Sequence, residues 1–273
     1  MIDTIICNKY QCNHIIGTGK FGVVYKGRHI TKNETVAIKT ESQTTPFKIL
    51  RHEATVMNYL YYNGVRNIPV VYWFGQHLNF TCLVMSHYNC NIYDYITNNT
   101  HKLGSMMIKC LQVLESIHKH HVLHRDIKPQ NFMVRDGDLF LIDFGLSTVF
   151  TDDDGKHVIK NDVDNIIGTP KFVSYHNHVG GNISRRDDLM SLGYMYLYLR
   201  DGCLPWDCDY IIPTASVLHP KNIELMNAKS WDTLSQSRSL DSGIRMFLKY
   251  CYELRYDATP NYSLMMELFR HVY

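Results

Sequence analysis

The chain begins with apolar and polar side chains alternating in short runs broken by glycine and asparagine. Over residues 10 to 40 this pattern predicts hairpin strands. The apolar spacing turns helical over 47 to 62 and returns to two strands across 68 to 88. Further along, the helical period dominates. Met107, Leu111, Leu114 and His118 fall on one face of a helix spanning about 103 to 120. Leu139-Phe140-Leu141-Ile142 reads as a short buried strand. Residues 186 to 200 and 241 to 255 read as two further helices, the first nearly all apolar in its second half. The change from strand to helix near 86 to 91 predicts a lobe boundary. One domain over 1–273 is expected, divided into 1–85, a connecting 86–90, and 91–273.

Composition narrows the possibilities. Hydrophobic residues make up 45% and charged residues 20% of the 273, as in an ordinary globular chain. A net charge of +2 argues against nucleic acid as the main partner. No apolar run approaches membrane-spanning length, and Met1 to Cys12 lacks the pattern of a secretory signal. The eight cysteines form no C-x-x-C pair, which disfavours zinc-ribbon and thioredoxin chemistry. Scattered thiols fit an intracellular protein, cytoplasmic or nuclear, and a monomer is expected.

The candidate chemistry begins at Gly17-Thr18-Gly19-Lys20-Phe21-Gly22. A dinucleotide-binding version of this spacing leads into a helix, whereas here it leads into the strand-like Val23-Val24-Tyr25-Lys26. That favours a glycine hairpin whose exposed amides lie over phosphates, the alternative being an ordinary turn. Lys39 closes the apolar run Val36-Ala37-Ile38, where an ammonium needs a partner. Glu53, on the following helix, is the candidate partner, although a lone glutamate there would by default be a solvated helix-face carboxylate.

The densest segment is His124-Arg125-Asp126-Ile127-Lys128-Pro129-Gln130-Asn131, followed after the short strand by Asp143-Phe144-Gly145. Asp126 can orient a hydroxyl and take its proton, and Lys128 can neutralise a transferring phosphoryl group. Asn131 and Asp143 offer hard oxygens suited to Mg²⁺. The cluster His118, His120, His121 and His124, with His120 and His124 four apart, invites a metal reading, but His124 belongs to this loop and the others to the ragged end of a surface helix.

These ordered elements resemble the eukaryotic protein kinases, from about residue 10 to the end. The resemblance implies an α+β, two-lobed fold: a small antiparallel β-sheet lobe plus one helix, and a larger, mainly helical lobe. It implies ATP and Mg²⁺ as cofactors and protein substrates. Lys128 is similar to the serine/threonine class. Asp188-Leu189-Met190-Ser191-Leu192-Gly193 resembles a family segment whose Asp braces the catalytic loop. The usual A-P-E is replaced by Gly168-Thr169-Pro170-Lys171-Phe172-Val173-Ser174. With Ser184-Arg185-Arg186-Asp187-Asp188-Leu189 and Leu204-Pro205-Trp206, this is similar to casein kinase 1 and its vaccinia-related relatives.

The resemblance also implies an adenine pocket. Met85 would be its gatekeeper, Ser86 and Tyr88 the backbone contacts, and Asp94 the ribose contact. Ile16, Val24, Ala37, Phe132 and Ile142 would be its apolar walls. Casein kinase 1 enzymes favour serine or threonine after acidic or phosphorylated residues. The cations for that preference would be Lys171, Arg185, Arg186 and Lys229, with internal pairing the alternative for the two arginines. The family has Arg where this chain has Lys171, and its basic helix–loop is diluted between Cys208 and Asp241. Constitutive activity is expected, with Asp152-Asp153-Asp154 as a solvated turn. No regulatory tail is expected beyond the last helix. A pseudokinase and a small-molecule kinase are the competing classes. The intact set Gly17, Gly19, Gly22, Lys39, Asp126, Asn131 and Asp143 argues against the first. Lys128-Pro129 and the segment through Ser174 argue against the second.

Overall fold

A computed structural model describes residues 1–19, 22–46, 48–159, 165–207 and 216–270. The chain forms two compact units. One is Met1–Cys90 with Met133–Gly145, and the other is Asn91–Phe132 with Leu146–Tyr273. The hairpin after residue 132 therefore belongs with the first unit, a grouping that a single division near residue 90 does not express.

The first unit is built on an antiparallel sheet of six strands. They are β1 (Ile5–Ile6), β2 (Tyr10–Gly19), β3 (Gly22–His29), β4 (Thr35–Ser42), β5 (Val71–His77) and β6 (Phe80–Ser86), in the order β1-β2-β3-β4-β6-β5. Alternation places Cys12, Tyr25, Val36, Ile38, Cys82 and Val84 in one buried cluster. Helix α1 (Ile49–Tyr62) buries Leu50, Glu53, Ala54, Val56, Met57 and Leu60, at the three- and four-residue spacing of a single face. Its opening residue in the sequence reading, Phe47, lies outside the described residues. The start of α1 has no side-chain cap of its own. Instead Glu41 of β4 accepts from the backbone N–H of Ile49 at 3.0 Å and of Leu50 at 3.3 Å. A carboxylate there also meets the positive end of the helix dipole.

Between Ser86 and the helices lies β7 (Cys90–Asn91). In the second unit, α2 (Ile92–Thr97) precedes α3 (Leu103–Lys119) and the short β8 (Val122–Leu123). The hairpin of β9 (Phe132–Arg135) and β10 (Asp138–Leu141) returns to the first unit, where Asn67 bonds Leu139 and Leu141. Strand β11 (Thr148–Val149) pairs antiparallel with β8. The remaining helices are α4 (Tyr175–His178), α5 (Arg185–Asp201), α6 (Pro220–Ala228), α7 (Trp231–Leu234), α8 (Ser242–Glu253) and α9 (Tyr262–Arg270).

Helix α5 is the centre of this unit and packs against α3 and α8. Every residue from Leu189 to Leu197 is buried, which is why the sequence shows no polar face there. The Asp187 carboxylate, accepting from the Ser184 N–H at 2.7 Å, starts the helix, and Gly202, at φ 76°, ends it. Gly193 permits the approach of α8, since a Cβ there would stand 2.6 Å from Leu248 Cδ2.

Among the described residues no helix is long and apolar enough to cross a membrane. The seven described cysteines carry free thiols, and Cys208 lies outside the described residues.

Candidate active site

The sequence-predicted site residues fall into two groups, one in each unit. In the first unit, β2 and β3 meet at the Gly19–Gly22 pair, with Gly17 opposite Val24. Lys20 and Phe21 of the glycine motif lie outside the described residues. Gly22 and Gly19 are there for different reasons. At Gly22 (φ 153°) a Cβ would stand 1.9 Å from the Thr40 carbonyl, so any side chain would push β3 off β4. At Gly19 a Cβ would meet nothing within 4 Å among the described residues. Its bareness leaves backbone open to a close ligand.

Lys39 lies on β4 opposite Val24 and Leu83. Its Nζ donates to Glu53 Oε2 at 2.7 Å and to Asp143 Oδ1 at 2.8 Å. Burial alone would pull the ammonium down, but the two carboxylates more than reverse it and hold the pKa above its usual range. Glu53 is fully buried, and that burial pushes its carboxyl up against the pull of Lys39. Asp143 is 41% exposed and sits at φ 67°, a left-handed backbone that a non-glycine residue adopts only under constraint. Gly145 follows because a Cβ would lie 2.8 Å from Ile49 Cγ2.

Ala37 pairs with Met85 across β4 and β6, and both are buried. Ile16 is 46% exposed, while Val24 and Ile142 are partly buried. The Ser86 N–H is engaged by the Val70 carbonyl at 3.1 Å, so the carbonyl is the Ser86 backbone group to consider for an adenine. Tyr88 is buried, its ring 4.7 Å from that of Phe140 and 5.3 Å from the Arg135 guanidinium. Burial pushes its phenol up to about 12.

In the second unit the loop after β8 is shaped from behind. Asp188 of α5 accepts from the backbone N–H of His124 and of Arg125, each at 2.8 Å. Burial alone would raise its carboxyl. His118, whose Nε2 stands 3.0 Å away, together with those N–H groups, holds it below the usual range. His118 itself is buried, with Nδ1 2.6 Å from the Tyr262 hydroxyl. It therefore does not belong with the ragged helix end to which the sequence reading assigned it. Among the described residues no group of three or more His, Cys, Asp or Glu is arranged to hold a metal.

Asp126 is 7% exposed and both its oxygens are committed. Oδ1 accepts from the N–H of Thr169 at 3.0 Å and from its hydroxyl at 2.7 Å. Oδ2 accepts from Lys128 Nζ at 2.6 Å and from Asn131 Nδ2 at 3.2 Å. Lys128 also donates to the Thr169 hydroxyl at 3.0 Å. From the sequence, Thr169 is one residue of the Gly168–Ser174 segment, with no contact to Asp126 expected. The signal for more was its place between Gly168, which can take a positive φ, and Pro170, whose ring fixes φ. Arg125 sits at φ 66° and donates to the Leu146 carbonyl at 2.6 Å and the Ser147 carbonyl at 3.3 Å.

Asn131 donates through Nδ2 to the Asp126 carbonyl at 2.8 Å as well as to its carboxylate. Both amide hydrogens are thereby spent, and the amide oxygen is the atom left to offer a hard cation. Asp143 offers a partly exposed carboxylate of the same character. This donor chemistry fits Mg²⁺. Phe132 is fully buried. Asp94 is exposed, and its Oδ2 accepts from the amide of Asn91, the N-cap of α2, at 2.8 Å.

Of the four residues expected to read substrate anions, Lys229, Arg185 and Arg186 need correction. Lys229 is fully buried. Its Nζ donates to the carbonyls of Pro170 at 2.7 Å and Val173 at 2.8 Å and stands 3.1 Å from His178 Nε2, so it offers no surface charge. Arg186 donates to the Leu254 carbonyl at 2.9 Å. Arg185 donates to the Asp257 carbonyl at 2.8 Å and lies over the Phe150 ring at 4.9 Å. Both arginines thus take the internal alternative. Lys171 is 34% exposed, while paired with Asp207 at 2.8 Å and lying 4.1 Å over the Tyr198 ring. The Asp152–Lys156 turn closes on itself, with Asp152 Oδ1 accepting from the N–H of Asp154 and Lys156.

A family model described as the protein kinase domain matches residues 10–273.

Proposed function

From a chain that belongs to the protein kinase domain family, we propose an active serine/threonine kinase of the casein kinase 1 type, using ATP and Mg²⁺. The observation that carries this reading is the Asp126 carboxylate, held on both oxygens by Lys128, Asn131 and Thr169. A carboxylate so fixed is pre-aimed at a hydroxyl and needs no reorganisation as the proton leaves. Lys128, at its side, supplies positive charge for the phosphoryl group in transit. In the nucleotide-binding half, Lys39 is kept protonated and pointed by Glu53 and Asp143, ready to hold phosphate oxygens. Bare backbone at Gly17 and Gly19 admits those phosphates closely. Asn131 and Asp143 would hold Mg²⁺, which offsets negative charge on the phosphate oxygens.

The serine/threonine assignment rests on Lys128 and on the resemblance of Gly168–Ser174 and Ser184–Leu189 to casein kinase 1. Recognition of acidic or primed sites is proposed through Lys171, because Lys229 is fully buried and Arg185 and Arg186 each bond a backbone carbonyl of this unit. The preference for such sites is therefore weaker than four cations would give. Casein, an aminoglycoside and choline are offered with labelled ATP, and the labelled protein is hydrolysed to its amino acids. Label in phosphoserine or phosphothreonine is expected. Label in phosphotyrosine, or only in the small molecules, would contradict the assignment.

A further inference from the structure

Lys229 is an unusual use of a charged side chain. It follows the last residue of α6, is fully buried, and has no carboxylate among its partners in the described residues. An ammonium carries three donors, and it has three acceptors: the carbonyls of Pro170 and Val173 and Nε2 of His178. The rings of Tyr194 and Trp206 stand 5.3 and 5.1 Å from Nζ and add attraction for a cation. Burial pulls this lysine well below its usual range and holds His178 down at about 2, so the imidazole is neutral and accepts.

What Lys229 holds is one short turn. Trp206 Nε1 takes the intervening Lys171 carbonyl at 2.9 Å, so the Pro170, Lys171 and Val173 carbonyls are all tied from one side. The same turn closes on Thr169, whose carbonyl accepts from the N–H of Phe172 and of Val173. Thr169 in turn donates twice to Asp126.

We propose that Lys229 is a positioning residue for phosphoryl transfer: through the Pro170–Val173 turn it sets Thr169, and through Thr169 the carboxylate of Asp126. This rests on the kinase reading above. It makes α6, remote in sequence from every motif residue, part of the acceptor side of the reaction.

The test is a double-mutant cycle of Lys229→Met and Thr169→Val, read in steady-state kinetics on casein with thermal melting alongside. Lys229→Met is expected to lower kcat by about 10- to 100-fold while KM for ATP stays within about twofold. The double variant is expected to lose no more than the larger single loss, because both act through one link. Losses that multiply, or a rise in KM for ATP that parallels a fall in Tm, would show a general packing role and overturn the proposal. Should Lys229→Met not fold, Trp206→Phe keeps an aromatic ring there and removes the bond to the Lys171 carbonyl together with part of the indole. The same selective fall in kcat, absorbed by Thr169→Val, is expected. Wild-type protein that transfers no phosphate overturns the kinase reading and this role together. Unchanged kcat in an active enzyme overturns this role alone.

Discussion

The hydroxyl of Thr169 donates to Oδ1 of Asp126 at 2.7 Å, joining two residues 43 positions apart. Neither is exposed enough to wander, and the Thr169 N–H reinforces the contact at 3.0 Å. Thr169→Val keeps the shape and deletes the hydroxyl, leaving the N–H bond. Asp126 should then lose orientation without losing its charge. We expect kcat to fall by about tenfold or more with KM for ATP little changed. Steady-state kinetics on casein checks this, and an equal loss in ATP affinity would contradict it.

Lys39 and Glu53 make a different prediction. Lys39→Met removes the cation that holds Glu53 ionised, and burial then favours a protonated Glu53. Glu53→Gln leaves Lys39 the Asp143 carboxylate at 2.8 Å. We expect transfer to fall about 100-fold or more for Lys39→Met and less for Glu53→Gln. Phosphate transfer assays on the two variants, with melting curves, would show the order. A more damaging Glu53→Gln would mean that Asp143 cannot hold Lys39 alone.

Gly168 sits at φ 111°, where a Cβ would come 2.5 Å from the Arg125 carbonyl. Gly168→Ala should therefore cost about 1–3 kcal/mol from backbone strain alone, with more from the clash. It should also disturb Thr169 beside it. Denaturant unfolding gives the first quantity and kcat the second. A neutral substitution would show that the backbone there adapts.

Buried histidines set the acid side of stability. Burial holds His176 down at about 4 and His178 at about 2, and lowers His118 as well. The unfolded chain takes up protons on these rings below about pH 6.5, where the folded chain does not. Their contribution is thus fully present above roughly pH 6.5 and is lost as pH falls toward each folded pKa. Asp187, pushed up to about 6 by burial, acts in the opposite sense, since the folded state keeps its proton longer. Glu53, also raised by burial, acts in the same sense as Asp187, and two carboxyls offset only part of three histidines. Unfolding free energy should accordingly drop between pH 7 and 5, and His176→Gln should flatten that slope. An unchanged free energy over this range would contradict the account.

Legibility of the sequence varied with what each residue had to signal. Alternation in β2 to β6 and the helical period of α1, α3 and α8 were legible because one face of each is buried. The motifs supplied Lys39, Asp126, Asn131 and Asp143, because this chemistry demands those types in that order. What sequence does not carry is the direction in which a long cation points. Lys171 and Lys229 read alike as letters, yet one is partly exposed and the other fully buried. His118 was legible as a face of α3, but its bond to Asp188 joins residues 70 apart and has no local pattern. Helix α6 follows a stretch, 208–215, outside the described residues, and its weak periodicity gave little signal in the sequence.

The central claim is that Asp126 serves transfer of phosphate to protein. Labelled phosphate transfer from Mg-ATP to dephosphorylated casein, native protein against Asp126→Asn, tests it most directly. The account predicts transfer by the native protein and a fall of about 100-fold or more in the variant, with nucleotide binding retained. Equal transfer by both, or nucleotide binding without any transfer by the native protein, would contradict it.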